Sequence, residues 1–317
     1  MTELLAQQLK WSVREKEVAE VAVIESKTVT IDSLIDEEER RFLARMPQSI
    51  ARSEEASEVL AGGATSNWMI SRPAAVWVSH GSGSRVWDVD GTEYVDLHGG
   101  YGVMVAGHAN PAIVEAVQRR VTQGTHFAQP TDDSIVVAQN LSRRFGLPLW
   151  RYNNSGTEAT MDAIHLMRAI TGRKGIIKIE GSYHGHHDAV MVSQWRNLDM
   201  LGPADHPYRV AAAGVPQEMA DLVHLVPFND LEALERVLHA NQASIAGMIM
   251  EPMMMNAGII PPDAGYLEGV RQLTRRYGVL LAFDEVKTGL SVHPGGATGL
   301  FGVTPDIVCL AKSMGGG

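Results

Sequence analysis

The chain has 317 residues, enough for one large domain or two ordinary ones. Its 45% hydrophobic and 20% charged residues exclude disorder and a fibrous repeat, and a net charge of −10 removes any global pull toward nucleic acid or an anionic membrane. The single cysteine, Cys309, excludes an intramolecular disulfide framework and a cysteine-rich zinc site. No apolar run reaches the ~18 residues of a membrane helix, and the start carries no continuous apolar segment of a secretory signal. A cytoplasmic protein is expected.

Residues 1–50 are rich in charge and Gln and contain no glycine, which marks an N-terminal extension, partly helical, that can wrap on a partner subunit. The charged run from Asp36 to Arg41 reads as the first turn of a short solvated helix. Between residues 84 and 97 two alternating segments flank Asp90-Gly91, a strong hairpin signal. From about residue 110 helices alternate with short apolar runs. Residues 111–121 are amphipathic, with Ile113, Val114, Val117 and Val121 at helical spacing. Runs at 175–179, 245–250, 279–283 and 307–310 have strand character, and helical segments are expected over 157–170, 230–240 and 266–277. The alternation predicts an α/β domain with a mostly parallel central sheet and flanking helices.

Ligands of open α/β sheets bind beyond the carboxyl ends of the strands. The residues there are Tyr183 and His184 after the first run, Glu251-Pro252 after the second, Asp284-Glu285 after the third and Lys312 after the fourth. Each has a plainer reading. Lys312 can be a solvated surface residue, Asp284-Glu285 can cap a turn, Tyr183 can be a rim aromatic, and His184, His186 and His187 can be surface histidines. A metal site is not expected, because adjacent His186 and His187 point in different directions and form no i, i+4 pair.

The segment Asn153-Asn154-Ser155-Gly156-Thr157-Glu158-Ala159 carries a capping-box pattern in Ser155 and Glu158, so a helix is expected to begin here. Capping alone accounts for the pattern. A helix start with glycine and small hydroxyls also offers N–H groups to a phosphate, Gly156 permits close approach, and Thr157 adds a hydroxyl. No Gly-Lys-Ser/Thr follows, so this is not a nucleotide P-loop, and the dinucleotide fingerprint of a dehydrogenase is missing. A phosphate cradle, an aromatic plate, an acid and a lysine at strand ends suit pyridoxal 5′-phosphate, whose ring nitrogen needs an acidic partner and whose aldehyde needs an amine. At an effective dielectric of about 20, a charge pair near 4 Å is worth about 4 kcal/mol, enough to keep that nitrogen protonated at neutral pH.

From about Glu55 to Gly317 the chain resembles the class III aminotransferases of fold type I, most of all the branch containing glutamate-1-semialdehyde aminomutase. The resemblance is carried by residues 154–161, by Glu180-Gly181-Ser182-Tyr183-His184-Gly185-His186, by Glu251-Pro252, by Phe283-Asp284-Glu285-Val286 with Thr288-Gly289, and by residues 302–306 leading to Lys312. Asp284 and Lys312 stand 28 positions apart, as that branch requires. The resemblance implies that Ser155, Gly156 and Thr157 hold the cofactor phosphate and that Tyr183 stacks on the pyridine with His184 beside it. It further implies that Asp284 partners the ring nitrogen, that Val286 packs on the opposite face, that Asn256 lies close to the cofactor, and that Lys312 is the Schiff-base lysine and proton shuttle. Lys312, Asp284 and Tyr183 are then the catalytic residues. Ser66, Trp68, Arg72 and Tyr101 are the candidates for substrate contact. Residues 51–105 correspond to the N-terminal part of a small domain with the hairpin, and residues 106–317 to a large cofactor domain. The implied assembly is a homodimer.

Three departures stand out. Met69 replaces an arginine that binds substrate carboxylate in the aminomutases, a loss of about 1.5–3 kcal/mol unless Arg72 compensates. Tyr101 replaces a pocket tryptophan, Trp68 adds bulk, and the loop with Trp195 and Arg196 differs from the family's glycine-rich loop. The family also continues well past its Schiff-base lysine, whereas this chain stops at Gly317; a fragment or split gene is expected, with one face of the sheet incompletely covered. The expected function is transfer of an amino group between an amino-acid or amine donor and a keto acid or aldehyde. The alternatives are the aminomutase reaction and a catalytically silent, truncated cofactor-binding protein.

Overall fold

The computed structural model describes residues 30–194, 202–203 and 207–316. Most of the N-terminal extension, together with Trp195 and Arg196, lies outside the described residues. The chain divides into two compact units, one comprising the chain up to Trp77 with Asp88–Gly91, the other Val78–Trp87 and Thr92 onward.

The first unit contains α1 (Ile31–Ala44) and α2 (Pro47–Val59). Thr30 starts α1 with a reciprocal cap: its Oγ1 accepts from Ser33 N at 3.2 Å, and its N–H donates to Ser33 Oγ at 3.1 Å. The charged run 36–41 therefore lies in the middle of the helix and not in its first turn, because Thr30-Ser33 supplies the start signal upstream. Arg41 pairs there with Glu37 and Glu38 on the solvated face, contacts of little energetic weight. Pro47 opens α2, and the orphan N–H groups of its first turn are met from a distance: Asp90 accepts from Gln48 N at 2.7 Å, Ser49 N at 2.9 Å and Ser49 Oγ at 2.9 Å. The helix runs unbroken through residue 50, so the extension drawn at that position ends inside an element. Further on, Ser66 Oγ accepts from Trp68 N at 3.4 Å to cap the short 3-10 turn Asn67–Met69, where Trp68 is exposed.

The second unit opens with β1 (Val78–Ser82), β2 (Arg85–Asp88) and β3 (Glu93–Val95). The expected hairpin is present: β2 and β3 pair antiparallel with Val86 opposite Tyr94, and Gly91 takes φ +86° in the turn. A kinked turn α3 (Gly99–Gly102) precedes α4 (Pro111–Val121), α5 (Asp132–Phe145) and α6 (Gly156–Thr171). Next come β4 (Gly175–Ile179), α7 (Gln217–Ala220), β5 (Val223–Val226), α8 (Leu231–Asn241) and β6 (Ile245–Met250). The chain closes with α9 (Tyr266–Arg276), β7 (Leu280–Asp284), α10 (Gly296–Phe301), β8 (Ile307–Cys309) and a 3-10 turn, Lys312–Gly315.

The main sheet has the order β5-β4-β6-β7-β8 with every neighbouring pair parallel. Strand β5 and helix α5 are among the elements that were not anticipated. Strand β5 is a four-residue edge strand whose apolar pattern is interrupted by His224. Helix α5 carried readable signals, with acidic Asp132 and Asp133 in its first turn and Gly146 at φ +71° as its stop.

On one face of the sheet Ile177, Met248, Leu281 and Phe283 pack against Leu234 and Leu238 of α8 and Leu267 and Val270 of α9. On the other, Ile176, Ala246, Ile249 and Ala282 pack against Ile164 and Met167 of α6. Strands β4 and β6 are buried along their whole length, whereas Ile307 and Val308 of the edge strand β8 are only partly buried. Apolar surface is exposed on α4 and α5, where Val117 and Ile135 keep 59% and 57% of their area in solvent. The expected stripe on α4 thus forms, but α4 has no buried residue. Among the described residues no helix is long and apolar enough to cross a membrane.

Close approach of α6 to the sheet depends on Gly247 in β6, where a Cβ would stand 2.0 Å from Met167 Sδ and 3.0 Å from Leu280 O. Gly247→Ala is expected to destabilise the fold by roughly 1–3 kcal/mol, seen as a lower urea midpoint with an unchanged slope.

Candidate active site

In this sheet β5 lies on one side of β4 and β6 on the other, so the strand order reverses between β4 and β6. Crevices for ligands open at the carboxyl ends of strands at such a reversal. A cavity of about 250 Å³ lies there, and its wall includes Ser155, Gly156, Thr157, Tyr183, His184, Asn256, Asp284, Val286 and Lys312. Every cofactor-binding candidate read from the sequence therefore meets in one place.

Helix α6 brings its N-terminus to this wall. Ser155 is the N-cap, its Oγ accepting from Glu158 N at 3.2 Å. The reciprocal half of the box is displaced by one residue: Glu158 Oε2 accepts from Asn154 N at 2.5 Å and not from the cap residue itself. The N–H groups of Gly156 and Thr157 have no carbonyl to meet inside the helix, and the helix dipole places partial positive charge on them. Thr157 Oγ1 accepts from His186 N at 3.3 Å, which ties the helix start to the loop after β4. Gly185 in that loop has φ +108°, and a Cβ on it would stand 2.7 Å from Thr157 Oγ1, so the approach requires glycine.

Asp284 ends β7 and is nearly fully buried. His184 Nδ1 lies 2.7 Å from its Oδ2, and Val286 N donates to its Oδ1 at 3.0 Å. With the carboxylate ionised, Nδ1 carries the proton. His184 is itself 1% exposed, and its Nε2 is buried without a hydrogen-bond partner among the described residues. The neighbouring Glu285 faces the other way. Its carboxylate accepts from Ala297 N at 2.5 Å, Thr298 N at 2.8 Å, Thr298 Oγ1 at 2.6 Å and Thr288 Oγ1 at 3.0 Å, so it holds the start of α10. Of the two acids, the capping reading fits Glu285, and Asp284 faces the cavity.

Glu251, at the end of β6, also lines the cavity, and its wider role was not legible in the sequence. Its carboxylate accepts from Tyr183 N at 3.2 Å, Met255 N at 3.0 Å, Asn256 N at 3.2 Å and Asn256 Nδ2 at 3.0 Å. Burial raises its pKa, opposed by His184 and by the bond from Asn256. Burial also raises the phenol of Tyr183, with Asp284 adding to the effect. His187 is drawn down to about 4 by burial and by His184 and His165, and so is neutral at pH 7.

Lys312 opens the turn after β8 with φ +50°, a left-handed conformation that costs a non-glycine residue about 1 kcal/mol. Ser313 Oγ donates to Gly289 O at 2.9 Å and fixes the turn. Burial lowers the pKa of Lys312, and Lys287 lowers it further, against Asp284 and Glu251, which raise it. Lys287, Thr288, Met255, Asn154, Gly185 and Ala311 complete the wall beyond the residues read from sequence. Tyr101 does not line the cavity; it has φ +61° and makes an edge contact with His98 at 4.1 Å. Ser66, Trp68 and Arg72 belong to the first unit.

A family model described as Aminotransferase class-III matches residues 69–317. The chain belongs to the class-III aminotransferases. It is 42% identical over 243 residues to the glutamate-1-semialdehyde 2,1-aminomutase of Natranaerobius thermophilus, covering 76% of this chain and 55% of that protein. Among solved structures it is similar to an omega-transaminase from Sphaerobacter thermophilus, with a TM-score of 0.79 and 36% identity over 85% of this chain and 61% of that one. It is likewise similar to a glutamate-1-semialdehyde aminomutase from Pseudomonas aeruginosa PAO1 in complex with PMP, with a TM-score of 0.81 and 35% identity over 90% of this chain and 62% of that one. The α/β fold is thus the fold-type-I aminotransferase fold expected from the sequence. The chain spans between 55% and 62% of the length of the curated relatives it matches.

A lowered amine pKa places more of Lys312 in the neutral, nucleophilic form at a given pH. In the chain alone, trinitrobenzenesulfonate at pH 8–9 is expected to label Lys312 ahead of the exposed Lys174, read by peptide mass mapping; equal labelling contradicts the depression.

Proposed function

We propose that this chain carries the cofactor-binding core of a pyridoxal-phosphate-dependent aminotransferase. The observation that supports it most directly is the meeting of the Lys312 amine, the Asp284 carboxylate and the N-terminus of α6 in one cavity. The donor set fits the cofactor: N–H groups for a phosphate, a buried carboxylate for a ring nitrogen, an aromatic residue for the ring face, and an amine for an aldehyde. When bound, pyridoxal phosphate supplies a carbonyl that condenses with amines and a cationic ring that draws electrons from the substrate Cα.

The chain's own residues do the rest. Gly156 and Thr157, with Ser155 capping the helix, orient the phosphate. Asp284 would hold a proton on the ring nitrogen, its carboxylate fixed at the cavity wall by His184 and Val286. Tyr183 and Val286 would hold the ring between them, with Asn256 beside it. Lys312 would supply the amine for the cofactor's aldehyde. As a base, Lys312 would move the proton of the substrate Cα, a role favoured by its lowered pKa. Donors are amino acids or amines and acceptors are keto acids or aldehydes, used in alternating half-reactions. Ser66, Trp68, Arg72 and Tyr101 enter as substrate-contact candidates on the resemblance alone, as do a homodimeric assembly and a cytoplasmic location.

A second reading, intramolecular amine transfer by an aminomutase, is favoured by relatives with that name at 40–42% identity. Met69, in place of the carboxylate-binding arginine, favours intermolecular transfer. Conversion of glutamate-1-semialdehyde with no added keto acid supports the aminomutase, whereas turnover that requires an external acceptor supports the transaminase.

Borohydride treatment of the chain with pyridoxal phosphate is expected to fix the cofactor on Lys312, and mapping it to another lysine overturns the assignment. Lys312→Ala is expected to lose trapping and to lower turnover by roughly 10²–10⁴-fold. Asp284→Asn removes about 4 kcal/mol of charge pairing and is expected to lower turnover by about 10³-fold while borohydride still traps Lys312.

A further inference from the structure

Lys178 has no role in the reading above, yet its position asks for one. It sits inside β4 with no solvent exposure, among isoleucines that fill the strand. A methionine would occupy similar volume there without the desolvation that an ammonium suffers. The ammonium donates to two backbone carbonyls, Ser182 O at 3.0 Å and Val192 O at 2.7 Å. These carbonyls stand at the two ends of the stretch that carries Tyr183, His184 and Gly185 into the cavity wall.

The Ser182 carbonyl belongs to the same peptide unit as the Tyr183 N–H, and that N–H donates to Glu251 Oε1 at 3.2 Å. One peptide plane is therefore held at its oxygen by a buried cation and at its nitrogen by a buried carboxylate. Peptide units are rigid, so turning this plane changes φ of Tyr183 and with it the direction in which the ring leaves the backbone. The grip on Val192 closes the other end of the stretch, and Ser182 Oγ, donating to Ile179 O at 2.6 Å, anchors the near end to the strand. Burial draws the Lys178 amine down to about 7, and the charges of Glu251 and Glu180 oppose that fall. Charged or neutral, the amine has enough N–H groups for both carbonyls.

We propose that Lys178 and Glu251 act together as positioning residues, clamping the Ser182–Tyr183 peptide from its two sides and so setting the plane of the Tyr183 ring and the place of His184. The proposal rests on the reading in which Tyr183 stacks on pyridoxal phosphate. A purely structural lysine would alter melting temperature alone, whereas a clamp also alters how the cofactor is held.

The test uses the full chain with Lys178→Met, Glu251→Gln and the double variant. Without cofactor, hydrogen exchange is expected to quicken across residues 182–192 in Lys178→Met while amides of β6 and β7 keep their protection. With pyridoxal phosphate, Lys178→Met is expected to bind roughly 10–100-fold more weakly and, at saturation, to show a diminished visible circular dichroism band. Glu251→Gln leaves one acceptor oxygen for the four donors of that carboxylate, so it is expected to weaken binding by roughly 10-fold as well. The double variant is expected to depart from additivity, because both groups act on one peptide. Should Lys178→Met not fold, Lys178→Gln, a shorter donor, carries the same readouts. Unchanged affinity and dichroism in a folded Lys178 variant overturn the clamp, even if its melting temperature falls. No binding by the unaltered chain overturns the cofactor reading and this proposal with it, while normal binding by all variants overturns this proposal alone.

Discussion

A carboxylate buried at the end of a parallel strand is stable only if hydrogen bonds replace the water it has lost. Asp284 meets this condition with one imidazole and one backbone N–H, which leaves lone pairs facing the cavity. That partial satisfaction organises its surroundings. It requires His184 to arrive from the loop after β4 in one orientation, and it requires the chain after β7 to fold back so that Val286 N reaches the carboxylate. Glu251 and Glu285 are buried under the same condition but are satisfied by four donors each, so they build structure where Asp284 remains available to a ligand.

The parallel sheet explains why these groups can meet at all. Strands running in one direction deliver all their carboxyl ends to one edge, and the reversal of order between β4 and β6 opens that edge. Helix α6 then packs on the sheet closely enough, over Gly247, to bring its own N-terminus to the same edge. The backbone amides of Gly156 and Thr157 thereby become part of the site. A contact between Gly185 and Thr157 joins the helix start to the Tyr183 loop, so two walls of the cavity are built as one.

Much of this was legible in the residues. The hairpin at Asp90-Gly91, the helices α4, α6, α8 and α9, and four strands of the main sheet follow from turn chemistry and hydrophobic period. The cavity residues were legible because they sit directly after apolar runs, where a charged or aromatic side chain has no packing reason to be. What escaped has physical causes. Strand β5 is short and pairs on one side only, so His224 is tolerated in it and the apolar signal fades. The acceptor role of Glu251 depends on donors four and five residues ahead and on one from another strand end, a pattern that no local spacing encodes. The start of α1 was set by Thr30 and Ser33, a weaker pair than the charged run that drew attention downstream. Cover for the central strands of the sheet comes from α6, α8 and α9.

The stretch from Asp284 to Thr288 packs opposite duties into adjacent positions: an acid facing the cavity, an acid facing the fold, a wall residue, and a hydroxyl that returns to the second acid. Such a segment has no slack in its reading frame. Loss or gain of one residue here would do more than change a loop's length: it would take Val286 N from Asp284 or the Thr288 hydroxyl from Glu285 and leave a buried acid short of a donor. The segment therefore tolerates a change of side chain more readily than a change of length.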